Sequence, residues 1–191
     1  MEVATVTSAR LELVSMSPGF LEALLDGRRE EAVAVLGAEL PDDWPDHHDE
    51  RFLRLRLGQM LRDHQAQQWS ARAIVVPGQE RTVIGHAGFH GPPGLNDQQK
   101  AGALEIGYQV FPPFRGQGYA TEAAVALMGW AAAEHDIRRF IASVSPTNEP
   151  SLAIVKKLGF AQTGDQWDEE DGLELVFELA WPAGATSPAK T

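Results

Sequence analysis

One segment near the middle of the chain restricts the fold more than any other. Residues 104–110 read LEIGYQV, the cleanest period-two alternation in the sequence, which predicts a β-strand. Pro112 and Pro113 follow, and because proline lacks a backbone N–H, the strand cannot continue a hydrogen-bonded ladder beyond them. A glycine turn then leads into an Ala-rich segment, 118–135, which predicts a helix. This part of the chain is therefore expected to form a strand that ends at a gap and is followed by a helix.

The remainder of the chain alternates predicted strands and helices, which is typical of a single mixed α/β or α+β domain. Strands are predicted at 10–14, 71–76, 82–89, 104–110, 139–144 and 173–179, and helices from Ser17-Pro18 onward and at 31–36, 52–61, 118–135 and 150–158. The four-residue connection 77–80 predicts an antiparallel hairpin between the second and third strands. The leucines of 52–61 fit a strand or a helix, and the long polar flanks without turns favour the helix.

Composition narrows the class of protein. The 191 residues include 16 basic and 27 acidic side chains, a net charge of −11, which excludes an ordinary nucleic-acid binder. An apolar fraction of 43% supports one domain over 1–181, with a mobile tail expected at 182–191. Cysteine is absent, and neither a signal peptide nor a membrane-spanning run is recognisable. We expect a cytoplasmic protein, a monomer or homodimer, without a membrane or nucleic-acid partner.

The glycine turn after the proline pair has the features of an anion site. Gly116 and Gly118 remove side chains where phosphates would approach the backbone, and the helix N-terminus directs unpaired N–H groups and its positive dipole end at them. Arg115 adds positive charge. A dinucleotide site would require a third glycine where Thr121 stands, and the Gly-Lys-Ser/Thr of a Walker loop is missing. A turn without a ligand is the alternative explanation.

The order of these motifs resembles the GNAT superfamily of acetyl-coenzyme A-dependent N-acetyltransferases. Arg115, Gly118 and Ala120 match the family's pyrophosphate loop, and NEPS at 148–151 with KKLGF at 156–160 resembles its second cofactor motif. The resemblance covers about residues 82–160. It implies a GNAT-like fold, a central mixed and mostly antiparallel sheet of about seven strands, flanked by helices and splayed between the fourth and fifth strands.

Other motifs resemble the RimJ/RimL-like branch, which acetylates the N-termini of ribosomal proteins and also contains enzymes acting on small amines. They are EIGY at 105–108, YATEA at 119–123 and Ser151. The resemblance therefore implies transfer of an acetyl group to a primary amine, either a peptide N-terminus or a small amine.

The resemblance also implies which residues bind acetyl-coenzyme A. They are Gln109, Val110, Phe111, Arg115, Gly116, Gln117, Gly118, Tyr119, Ala120, Thr121 and Asn148. A backbone N–H at Val110 or Phe111 is the implied donor to the thioester carbonyl, in the role of an oxyanion hole. Asn148 has a second explanation, since this residue type often caps helices.

Acetyl transfer requires a proton acceptor, because an amine is mostly protonated at neutral pH. On the alternating strand, Glu105 shares a face with Gly107, which leaves space for a ligand, so we expect Glu105 to face the cleft and take the proton. A solvated strand glutamate is the alternative. Many family members use a tyrosine to assist the leaving thiolate, but Val155 stands at that position. The resemblance transfers this role to Ser151, for which a helix cap is the alternative.

The sequence does not identify the amine acceptor, although the acidic net charge favours a cationic one. Trp44, His86 and Tyr108 are the predicted acceptor-binding residues, with His90 also near the site. The histidines do not form a complete ligand set, so no metal is expected. Two alternatives remain open. One is a non-catalytic acyl-coenzyme A binding module, which only the missing tyrosine supports, and the other is an interaction domain with a purely structural glycine loop.

Overall fold

A computed structural model describes residues 3–96, 98–169 and 172–182. In chain order its elements are β1 Val6–Thr7, β2 Glu12–Ser15, α1 Pro18–Leu25, α2 Arg29–Leu36, α3 His47–Arg62, β3 Arg72–Val76, β4 Thr82–Phe89, β5 Ala103–Val110, α4 Tyr119–His135, β6 Arg139–Val144, α5 Glu149–Lys157, β7 Ala161–Asp168 and β8 Gly172–Ala180. Short 3₁₀ turns occupy His64–Gln68 and Pro112–Phe114. The tail expected at 182–191 lies, apart from Pro182, outside the described residues. None of the helices in the described ranges combines the length and the hydropathy that a membrane span requires.

The strands form one open sheet in the order β1-β2-β3-β4-β5-β6-β8-β7. Every neighbouring pair is antiparallel except β5 and β6, which are parallel. The predicted mixed, mostly antiparallel sheet is therefore confirmed, with eight strands in the described part of the chain instead of about seven. Two strands carry no signal that predicts them from the sequence, since β1 is only two residues long and β7 is mostly exposed without apolar alternation.

The predicted splay lies between β5 and β6, the fourth and fifth strands identified from the sequence. These strands pair only where residues 103–105 meet residues 139–141. Both continue beyond this point, β5 to Val110 and β6 to Val144, without a further pairing between them. Residues 106–110 therefore present an edge toward the gap between the strands, and the proline pair ends β5 as expected.

Helices cover both faces of the sheet. Leu104, Ile106 and Val110 of β5 pack in one core cluster with Ala123 and Leu127 of α4. A second cluster joins the first three helices to the opposite face of the N-terminal half of the sheet through Phe20, Leu53, Met60, Ala73 and Val83. The first cluster therefore fixes β5 against α4, whereas the second packs on β3 and β4 and reaches the end of β5 at Phe111.

The segment 52–61 is helical, as predicted, and lies within α3. Asp46 begins this helix with a capping box: its carboxylate accepts from the N–H of Asp49, and Asp49 accepts from the N–H of Asp46. Leu53 and Met60, seven residues apart, are buried, whereas Leu55 is exposed. A strand would have put Leu53 and Leu55 on the same face, so the burial pattern follows the helical period.

Candidate active site

A cleft of about 570 Å³ opens at the end of β5, between the glycine loop and the N-termini of α4 and α5. Most of the predicted cofactor residues line it, namely Gln109, Val110, Arg115, Gly116, Gly118, Tyr119, Ala120, Thr121 and Asn148. Tyr108 and Ser151 line it as well. The glycine loop at 115–121 and the NEPS motif at 148–151, which are about thirty residues apart in sequence, therefore line the same cleft.

The glycine loop adopts a conformation that requires glycine. Gly116 and Gly118 have φ angles of 77° and 82°, and a Cβ at Gly116 would meet no heavy atom within 4 Å. The guanidinium of Arg10 holds the loop from outside, since both of its terminal nitrogens lie 3.1 Å from the carbonyl oxygen of Gln117. The same side chain forms an ion pair with Glu122 in the first turn of α4, at 2.6 Å. Gln117 does not line the cleft, and Arg10 is a loop contact that no sequence motif indicated.

The end of β5 separates the two predicted oxyanion donors. The N–H of Phe111 donates to the carbonyl oxygen of Ile84 at 2.8 Å, so it is already used within the sheet. Because N–H directions alternate along an antiparallel strand, the N–H of Val110 points to the opposite edge, toward the splay. Arg115 donates from Nε to the carbonyl oxygen of Val110 at 2.8 Å and holds the strand end in place. The N–H of Phe111 is thus already used as a donor, and the N–H of Val110 is the candidate for the oxyanion hole.

Trp44 also lies away from the expected position. Its side chain is 4% exposed, packs against Phe111 with ring centroids 5.5 Å apart, and belongs to the core beneath the first three helices. Trp44 lines neither the cleft nor the cavities beside it. The structure thus places Trp44 away from its expected position in an acceptor wall, because the Pro-flanked loop turns inward to fill the core.

A second cavity, of about 350 Å³, lies next to the cofactor cleft and shares Tyr108, Asn148 and Ser151 with it. His90, Gly107, Ser143 and Glu174 line its other walls. We call this space the acceptor cavity. A side cavity of about 100 Å³ continues from His90 and Gly107 toward His86. The cofactor cleft and the acceptor cavity therefore meet in the gap between β5 and β6.

Glu105 lies behind the wall of the acceptor cavity. The residue is 0% exposed, which differs from the expected position facing the cleft. Ser143 donates its hydroxyl hydrogen to Oε1 of Glu105 at 2.5 Å, and Nδ1 of His90 lies 3.8 Å from Oε2. Both neighbours line the acceptor cavity. The carboxylate therefore contacts the cavity through other side chains.

Tyr108 and Ser151 lie where the two spaces join. The Tyr108 hydroxyl oxygen is buried and makes no hydrogen bond of ordinary geometry, although the Ser151 hydroxyl is its neighbour. Burial raises the pKa of Tyr108, and the nearby Ser151 opposes this effect only in part. The side-chain oxygen of Asn148 accepts from the N–H of Ser151 at 3.2 Å, so Asn148 caps α5 as well as lining the cleft.

His86 reaches the side cavity with a buried carboxylate behind it. Its Nε2 lies 3.7 Å from Oδ1 of Asp49, and its ring stacks on Phe52 with centroids 4.8 Å apart. Burial alone would raise the pKa of Asp49, but His86 and the N–H of Asp46 outweigh it and lower that pKa. Asp49 was not predicted as a site residue, because only the fold brings α3 against β4.

A sheet that separates at mid-width, with a glycine loop and a helix N-terminus at the opening and a second cavity beside it, is the arrangement of the GNAT fold. Residues 10–161 match the family described as the acetyltransferase (GNAT) domain, and the chain belongs to this family. The resemblance read from the motifs is therefore confirmed, over a longer stretch than the motifs covered.

Similar proteins support the assignment to the GNAT family. YnaD of Bacillus subtilis, named as an N-acetyltransferase, is 31% identical over 105 residues, which are 50% of this chain and 58% of that protein. The chain thus spans little more than half the length of that relative. A structure assigned to GNAT-family acetyltransferases, from Bordetella pertussis, has 22% identity and a TM-score of 0.64, covering 93% of this chain and 99% of that one. RimL, a ribosomal-protein α-N-acetyltransferase in complex with coenzyme A, has 23% identity and a TM-score of 0.62, covering 93% and 98%. At these identities the two structures support the fold alone.

Proposed function

We propose that this protein transfers an acetyl group from acetyl-coenzyme A to a primary amine, either a peptide N-terminus or a small amine. The observation that carries the proposal is the meeting of the cofactor cleft and the acceptor cavity at Tyr108 and Ser151. A thioester entering from one side and an amine entering from the other would reach each other in the gap between β5 and β6.

The residues of the cofactor cleft fit acetyl-coenzyme A. The open backbone at Gly116 and the N-terminus of α4 provide N–H donors for a diphosphate. The unpaired edge of β5 provides backbone groups for the amides of the pantetheine arm. When bound, acetyl-coenzyme A supplies an acetyl group activated as a thioester. The N–H of Val110 donates to the thioester oxygen as negative charge develops there.

The amine attacks the thioester carbon directly, so a carbon–nitrogen bond forms as the carbon–sulfur bond breaks. Glu105 promotes removal of the amine proton, and because it is wholly buried, it does so through a group in the cavity wall. Ser151 donates a hydrogen bond to the departing sulfur, since Val155 is buried and has no hydrogen to donate. The motifs and the positions of these side chains beside the gap support both roles.

The acceptor would be cationic in its resting form, and the net charge of −11 favours its approach. Asp49 contributes a negative charge beside the side cavity, where His86 would contact the acceptor. We place the reaction in the cytoplasm, carried out by a monomer or homodimer, without a membrane or nucleic-acid partner.

The test has two stages. Acetyl-coenzyme A should raise the Tm of the protein in a concentration-dependent way, because a ligand that binds only the folded state stabilises it. A panel of peptides and small amines is then screened for thiol release, and the acetylated product is identified by mass spectrometry. Stabilisation without thiol release from any amine would favour a non-catalytic acyl-coenzyme A binding module. No stabilisation at all would overturn the proposal and favour a purely structural glycine loop.

A further inference from the structure

Because Glu105 is buried, another group must take the proton from the amine in the proposed reaction. A base must come within about 3 Å of the amine nitrogen, or reach it through one water, to take its proton. Glu105 is 0% exposed, and both of its carboxylate oxygens face side chains of the protein. The group that contacts the amine is therefore a different residue in the wall of the acceptor cavity.

Two side chains of that wall, Ser143 and His90, lie beside the carboxylate of Glu105, and the wall also contains the carboxylate of Glu174. Ser143 donates its hydroxyl hydrogen to Glu105, and a hydroxyl is a weak base. Glu174 accepts from Nε2 of Gln166 at 2.9 Å and lies on β8, separated from β5 by β6. His90 is the third, and a ring nitrogen of imidazole can accept a proton while the other donates a hydrogen bond.

The imidazole of His90 points toward the gap. Its Nδ1 lies 3.8 Å from Oε2 of Glu105, and its Nε2 lies 3.2 Å from the place where a Cβ on Gly107 would be. The side chain is 35% exposed and lines both the acceptor cavity and the side cavity. One ring nitrogen therefore faces the buried carboxylate, and the other lies over β5 where the strands separate.

The backbone around His90 is fixed. Its N–H donates to the carbonyl oxygen of Glu105 at 2.9 Å, and its carbonyl oxygen accepts from the guanidinium of Arg56 at 2.8 Å. Gly107 provides the room for the ring, because any larger side chain there would meet Nε2. The position of the ring is thus set by β5 and α3 together.

Building on the proposed acetyl transfer, we propose that His90 is the catalytic base that contacts the amine, and that Glu105 is a positioning residue that orients and stabilises it. With the hydrogen of the neutral ring on Nδ1, facing Glu105, the lone pair of Nε2 is directed into the cavity. The 3.8 Å separation exceeds a hydrogen bond, and contacts of this kind often tighten when substrate binds.

The protons balance in two steps. Nε2 of His90 takes one proton from the ammonium form of the acceptor, which leaves a neutral amine able to attack. The imidazolium is stabilised by the Glu105 carboxylate and passes this proton to water in the cavity. The amine nitrogen loses its second proton as the carbon–nitrogen bond forms, and the coenzyme A sulfur gains a proton as the carbon–sulfur bond breaks. One proton is released to solvent in each turnover.

His90→Gln tests the proposal, because glutamine keeps a polar side chain and removes the base. Using an acceptor that the wild-type protein acetylates, we expect kcat to fall about 100-fold or more, while the Kd for acetyl-coenzyme A and the Tm stay close to those of the wild type. His64→Gln is the matched control, since His64 is an exposed histidine outside these cavities, and it should leave kcat unchanged. Imidazole added to His90→Ala should restore part of kcat, which a structural histidine would not allow.

A double variant tests whether Glu105 acts through His90. Glu105→Gln should lower kcat, and adding it to His90→Gln should lower kcat little further, because both residues act on one proton. Acetylation by the wild type together with unchanged kcat in His90→Gln would overturn the role of His90 while leaving the proposed function intact. A loss of kcat in Ser143→Ala equal to that in His90→Gln, with no rescue of His90→Ala by imidazole, would overturn it in favour of a serine relay.

Discussion

The glycine loop permits a controlled test of how the cofactor would be held. Gly116 has a φ of 77°, and a Cβ there would meet no heavy atom within 4 Å. Gly27, in the turn between α1 and α2, has a φ of 75° and is equally uncrowded. Gly116→Ala and Gly27→Ala therefore impose nearly the same backbone strain, but only Gly116 lines the cofactor cleft.

The expected loss of stability is similar for the two variants. A left-handed conformation costs a residue with a Cβ about 1–2 kcal/mol. The reduced freedom of the unfolded chain offsets about 0.4–1 kcal/mol of this cost. Each variant should thus lose about 1 kcal/mol of unfolding free energy, which lowers the Tm of a domain of this size by about 2–4 °C.

The effect on binding should differ. If relief of the strain at Gly116 moves one loop N–H away from the diphosphate, the lost charge-assisted hydrogen bond is worth about 1.5–3 kcal/mol. That range corresponds to a Kd raised about 10- to 150-fold. Gly27→Ala should bind acetyl-coenzyme A as the wild type does.

Calorimetric titration of both variants with acetyl-coenzyme A measures this difference. S-acetylpantetheine, which lacks the diphosphate, serves as the control ligand and should bind both variants equally. Equal Kd values for acetyl-coenzyme A in the two variants, at equal loss of Tm, would refute the idea that the loop backbone holds the diphosphate.

Three further variants test other parts of the site. Glu105→Gln should keep its affinity for acetyl-coenzyme A in titrations and lose most of its kcat at neutral pH; an unchanged kcat would remove Glu105 from the mechanism. Tyr108→Phe should unfold at nearly the same Tm, because the buried hydroxyl makes no hydrogen bond of ordinary geometry with its neighbour Ser151, and should raise the KM for the amine; an unchanged KM would contradict its assignment to the acceptor site. Burial alone would raise the pKa of Glu122, but Ser8 and Arg10 outweigh it and lower that pKa. The wild type should therefore be more stable than Glu122→Gln by about 0.5–1 kcal/mol in denaturant titrations at pH 7. This difference should shrink as the pH falls below the ordinary glutamate value of 4.5, and a constant difference would contradict the lowered pKa.

The parts of the fold that the sequence predicted well are those with local signals. The strand at 104–110, the proline pair and the helix at 118–135 each follow from neighbouring residues, and all three are found in the structure. β7 carries no such signal, since its strand residues are mostly exposed and gain their hydrogen bonds only from β8. It could be recognised only after its partner strand was known.

The site was predicted less completely, because side-chain placement depends on distant contacts. Alternation along β5 correctly put Glu105 and Gly107 on the face opposite to Leu104, but it could not reveal that Ser143 and His90 would cover the carboxylate. Phe111 directly follows the cleft residue Val110 in sequence, yet its ring packs against Trp44 in the core. Periodicity gives the face of a strand and leaves open what lies against that face.

The N-terminal segment and the cofactor loop depend on each other through Arg10. Its guanidinium lies 4.6 Å from the centroid of the Tyr119 ring, and it contacts the carbonyl oxygen of Gln117, which is 107 positions away in sequence. The carboxylate of Glu122 accepts from the N–H of Arg10 and from the hydroxyl of Ser8, so the turn before β2 is attached to the first turn of α4. Because a ligand that orders the loop would also favour these contacts, cofactor binding would stabilise β1 and β2 although neither strand lines the cleft. Binding at the proposed cofactor site would thus also stabilise the edge of the sheet formed by β1 and β2.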